Sequence, residues 1–104
     1  MAHDPAVLND GLHLAMAWGD DWLRPIQARL AQQHPTLAAG ELDRCDAVCR
    51  EAMRFGHAQV LPLAPLGESE RIAAWKEQLL ARYPWINEAN LSRLYSQGMY
   101  YAMK

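Results

Sequence analysis

The 104-residue chain reads as an all-α protein, a single-domain irregular bundle of four to five helices, on three observations. Ala and Leu supply 31 residues while Val, Ile and Thr supply only 7, so there is little β-branched material from which to build a sheet. No stretch alternates apolar and polar residues with period two, as a half-buried strand would. Apolar residues instead recur three and four apart, between breaks at Gly19, Pro35, Pro62, Pro65 and Pro84.

Each helix has its own signals. Asp4-Pro5 is a capping carboxylate followed by a proline at the first helical position, which starts a helix running to about Trp18, with Gly19 as the stop. Val7, Leu8, Leu12, Ala15 and Trp18 share its apolar side, and Asp10, His13 and Ala17 line the other. Asp20 or Asp21 is expected to cap a second helix through about Gln33, with Pro25 in or near its first turn. Trp22, Ile26 and Leu30 mark its buried stripe, and His34-Pro35 ends it. A third helix is predicted over 40–59, with Leu42, Cys45, Cys49, Ala52, Gly56 and Val60 on one stripe flanked by Val48 and Phe55. Asp46, Arg50 and Arg54 fall on its wetter side. The proline-spaced connector 61–67 cannot be helical throughout and is expected to lie extended against the bundle. A fourth helix, 69–82, buries Ile72, Trp75, Leu79 and Tyr83, and Pro84 stops it. The last starts after an Asn87 cap, runs toward Ala102 and buries Leu91, Leu94, Tyr95 and Gly98.

Composition narrows the function classes. No run approaches the ~18 apolar residues of a membrane span, and no secretory signal is visible at the start, so a cytoplasmic, soluble protein is expected, with no membrane partner. Arg outnumbers Lys eight to two, a bias that points to a GC-rich bacterial genome. The net charge of −2 argues against a polyanion binder, and nucleic acid is not the expected partner. The charge is uneven: residues 1–23 carry −4, and residues 71–104 carry +3.

Cys45 and Cys49, with His57 downstream, are the nearest thing to a metal motif. His57 lies about 120° around the helix from Cys45, no second ligand pair exists, and both thiols fall inside the apolar stripe. They are read as small core hydrophobes, and no metal or other cofactor is expected. Asp10 and His13, three apart, have the spacing of an acid–base or metal pair, but any solvated helix face shows the same spacing. Ser69, Ser92 and Ser96 read as cap or helix-surface residues, no serine lies in a nucleophile elbow, and no phosphate loop occurs, so nothing argues for an enzyme.

Two surfaces remain. Residues 80–97 can be set as a helix-turn-helix with Leu80, Ile86, Leu91 and Leu94 as anchors, which would expose Asn87, Asn90, Arg93 and Gln97 to DNA. Pro84-Trp85 stands where the turn glycine usually lies, and cations on this helix are few. The C-terminus carries more large side chains than one helix face can hide: Tyr95, Met99, Tyr100, Tyr101 and Met103. Tyr and Met are enriched in interface cores, and the alternative is a tail that wraps the bundle with its aromatics half-buried and their hydroxyls in water. The expected function is therefore protein interaction or regulation, with a protein partner or self-association through this aromatic surface and with Trp85 and the 61–67 connector as its extensions.

Overall fold

The computed structural model describes residues 4–17 and 24–102. The expected roles of Trp18, Gly19, Asp20, Asp21, Trp22 and Met103 lie outside the described residues. Five α-helices account for most of what is described, with no strand among those residues: α1 (Pro5–Ala15), α2 (Gln27–Gln33), α3 (Ala39–Val60), α4 (Glu68–Arg82) and α5 (Glu88–Ala102). Principal extents of 44 × 30 × 18 Å make a flattened body, its thinnest dimension matching two helix layers.

The long α3 is the axis, since it packs against each of the other four helices. Its stripe is built as the spacing predicts, with Cys45, Cys49, Ala52, Met53, Gly56 and Val60 buried. Small residues let neighbours come close: Leu94 of α5 sits over Gly56, and Val60 sits over Gly98. Trp75 of α4 is fully buried, and its indole Nε1 donates to the Gly56 carbonyl at 2.8 Å, so the largest core side chain carries no orphaned donor. Tyr95 of α5 meets the Trp75 ring edge-on at 5.3 Å, which brings α3, α4 and α5 to one point.

The predicted helix starts at Asp4 and Asn87 are both present. The Asp4 carboxylate accepts from the Ala6 amide at 2.9 Å, and the Asn87 side-chain oxygen accepts from the Asn90 amide at 2.9 Å. The second helix differs from expectation. It begins only at Gln27, so Pro25 lies before it, and its first turn has no capping side chain of its own. Proline disfavours helical geometry in the residue it follows. Arg29 then holds the carbonyls of Arg24 and Pro25 together with that of Leu14. The cap comes from α3: Asp46, expected on the wet side, turns inward and accepts from the Ile26 amide at 3.2 Å.

The connector also departs from its expected extended form. Leu61–Leu63 wind into a 3-10 turn continuing from α3, and the Ala64 and Leu66 amides donate back to the Leu61 and Leu63 carbonyls. Pro62 tolerates this because the first residues of a helical turn need no amide donor. Coiling leaves Leu63 against the core but turns Leu61 and Leu66 outward.

Candidate interaction surface

Three polar constellations are prominent, and each closes on structural partners. Asn9 uses its whole side chain: Nδ2 donates to the carbonyls of Pro5 and Trp85, and Oδ1 accepts from the Asn87 amide and from Asn90 Nδ2. This ties α1 to the start of α5. Glu51 accepts from the Tyr83 hydroxyl at 2.8 Å and from Arg82 at 3.2 Å; burial first, then this carboxylate, pushes the Tyr83 hydroxyl up to about 12. Asp10 pairs with His34 of the α2 terminus at 2.7 Å, so it meets a histidine the sequence pattern did not single out, while His13 faces solvent. Asp10 and His13 thus form no site together: Asp10 is held in an α1–α2 contact, and His13 lies on the solvated face that its spacing also allowed.

The two cysteines sit in the core, both fully buried, with their sulfurs 4.0 Å apart over Gly11. Cys49 donates to the Leu8 carbonyl at 3.4 Å. Contact with Cys45, followed by burial, pushes the Cys49 thiol up and keeps it protonated. Among the described residues no three His, Cys, Asp or Glu side chains are grouped so as to hold a metal ion.

The proposed DNA-reading set is divided by packing. Asn87 and Arg93 are exposed, but Asn90 and Gln97 are only 4% and 3% exposed, which corrects the expectation that all four face outward. Asn90 is spent on Asn9, and Gln97 Nε2 donates to the Met16 carbonyl at 2.7 Å.

The C-terminal aromatics are divided too. Tyr95 is half-buried, and its hydroxyl accepts from Arg71 Nε at 3.1 Å. Met99 packs against the core. Trp85 belongs elsewhere: it stands before α5, edge-on to Tyr83, whereas Tyr100 is in the last turn. A 15-residue helix is about 20 Å long, so Trp85 does not extend the Tyr100 patch.

The remaining aromatics meet α3 near its C-terminal end. Tyr101 lies against the His57 ring, with centroids 5.1 Å apart, and Tyr100 meets Tyr101 edge-on at 5.5 Å. Leu61, four residues after His57, is the C-terminal cap of α3. Leu61 is 64% exposed, Tyr100 55% and Leu66 38%; the other exposed large apolar residue among those described, Leu80, lies apart on α4. No described helix is long and apolar enough to cross a membrane. No protein-family model, curated protein or solved structure matches this chain, and the functional reading therefore rests on this apolar end.

Proposed function

We propose that this chain is a small protein-interaction module, set in a bacterial cytoplasm, that docks a protein partner through the apolar end formed by α3, the 61–66 turn and the last turn of α5. The observation that carries this reading is that Leu61 and Tyr100, each more than half exposed, fall at the C-terminal ends of α3 and α5, two helices that pack together through Gly56, Gly98 and the His57–Tyr101 contact, with the exposed Leu66 five residues beyond Leu61. Large exposed apolar side chains with an aromatic among them, near a helix–helix junction, are of the type enriched in interface cores. A second copy of the chain is the simplest occupant. Two free, buried cysteines and an Arg-rich, helix-forming composition support the compartment.

Photo-crosslinking in the cells of origin tests the proposal, with benzoylphenylalanine placed at 61, at 100 and, as a control, at the exposed Ala47 of α3. Positions 61 and 100 are expected to trap the same discrete adduct, lost with Leu66→Lys. An adduct of twice the chain mass identifies self-association, and any other mass identifies a different protein. Equal labelling at 47, or none at 61 and 100, overturns the proposal.

A further inference from the structure

The apolar end is built around a histidine whose polar edge faces inward. The His57 side chain is half-buried between α3 and α5, with its ring against Tyr101. Its buried Nε2 and the buried Oε1 of Gln97, one turn before Tyr101 on α5, each lack a well-formed hydrogen bond to a described residue, although the Gln97 amide is close enough to favour the protonated ring in part. The other end of the Gln97 amide holds the Met16 carbonyl, where α1 terminates. One imidazole thus sits where the last turn of α5, the end of α3 and the C-terminal cap of α1 meet.

We propose that His57 is an acid-sensitive latch on the docking end: neutral, it seats the last turn of α5 with Tyr100 and Tyr101, and protonated, it releases that turn. The function of this latch rests on the docking reading above, but its chemistry does not. A charged imidazole at this position must keep a buried N–H and a positive charge out of water. The groups facing it are the Tyr101 ring and the Gln97 amide on α5, with the Met16 carbonyl of α1 behind that amide. On its own helix, Arg54 lies one turn before it and is exposed. No carboxylate among the described residues offsets the charge. The Tyr101 ring meets the imidazole tilted by 47° instead of presenting its face, which weakens any cation–π compensation. Burial accordingly holds the His57 imidazole below its ordinary value of 6.5, with Gln97 opposing this to a smaller extent.

The sign follows by linkage. In the open state His57 titrates near its ordinary value, and in the closed state it titrates lower. The closed turn is therefore fully favoured above pH 6.5 and loses ground as pH falls through the lowered value. The opening constant rises about tenfold for each unit separating the two titrations.

The test uses the full chain: amide-exchange protection factors for residues 99–102 between pH 7.5 and 5, alongside an NMR titration of the His57 ring. Protection at 99–102 is expected to fall with a midpoint coincident with the ring titration, while the α3 amides around Cys49 stay protected. His57→Gln, which keeps a polar side chain without a titratable one, is expected to abolish the transition, and His34→Gln to leave it in place. A flat profile, a midpoint away from the ring titration, or a transition that follows His34 overturns the latch. If His57→Gln does not fold, the coincidence of the two wild-type midpoints still decides. The outcome is separable from that of crosslinking: adducts at 61 and 100 without an acid transition leave the docking surface and remove the latch, and the reverse result leaves the latch and removes the surface.

Discussion

At Gly56 and Gly98 two helices meet at distances that no β-carbon tolerates. A methyl at 56 would stand 2.7 Å from Leu94 Cδ2, and one at 98 would stand 2.7 Å from Val60 Cγ2. Both neighbours are buried, and Val60 is β-branched and stiff, so neither can swing aside. Ala is favoured over Gly in a helix by about 1 kcal/mol, and forced overpacking costs about 1–3 kcal/mol, so the penalty outweighs the gain. Gly56→Ala and Gly98→Ala should therefore lower the urea midpoint. Gly40→Ala, whose nearest neighbour is the end of the exposed Arg44 side chain at 3.5 Å, should leave it unchanged or raise it. The sequence predicted correctly that Gly56 and Gly98 are buried. It could not predict which residue overlies them, because Leu94 and Val60 are brought there by the packing of α5 on α3.

Among the elements, α2 depends most on others. It has seven residues, too few to be stable as an isolated helix, and its start is capped by Asp46 from across the bundle. The same carboxylate pairs with Arg50 at 3.2 Å. Asp46→Ala should cost about 1–2 kcal/mol, the range for a lost cap and a charge-assisted bond. Hydrogen exchange should show the loss chiefly in the α2 amides, with the middle of α3 unaffected; uniform loss across both helices would refute the capping role. Local signals placed the caps at Asp4 and Asn87, two or three residues from the amides they serve. Asp46 lies 20 residues from Ile26, and nothing in its neighbourhood reveals that partnership.

For the whole molecule, the proposed docking residues and the folding core are separate. Trp75, Leu12, Leu79 and Leu94 are fully buried, whereas Leu61 and Tyr100 give most of their surface to solvent. Leu61→Lys and Tyr100→Lys should thus shift stability by no more than about 0.5 kcal/mol, as exposed substitutions do. Both fall at or near helix C-termini, where a cation is favoured by the backbone dipole. Urea unfolding of the two variants checks this, and a loss of several kcal/mol would show that these residues belong to the core. Trp75→Phe, by contrast, gives up the bond to the Gly56 carbonyl and part of the central ring packing, and it should be clearly destabilising in the same assay.

The sequence by itself determined the all-α class, most of the helix boundaries, the caps at Asp4 and Asn87, and the burial of Cys45, Cys49, Trp75 and Leu94. All of these follow from periodicity and local backbone chemistry, which act over a few residues. Only the tertiary structure decided what the polar and aromatic residues do. Asn90 and Gln97 are buried because Asn9 and the Met16 carbonyl, each 81 residues away, satisfy them. Tyr95 is drawn onto Trp75, Trp85 is carried to the far end of α5, and the coiled 61–63 turn leaves Leu61 exposed at the end of α3. A side chain's polarity predicts its exposure only when no distant partner is brought to it, and that is set by how the helices cross.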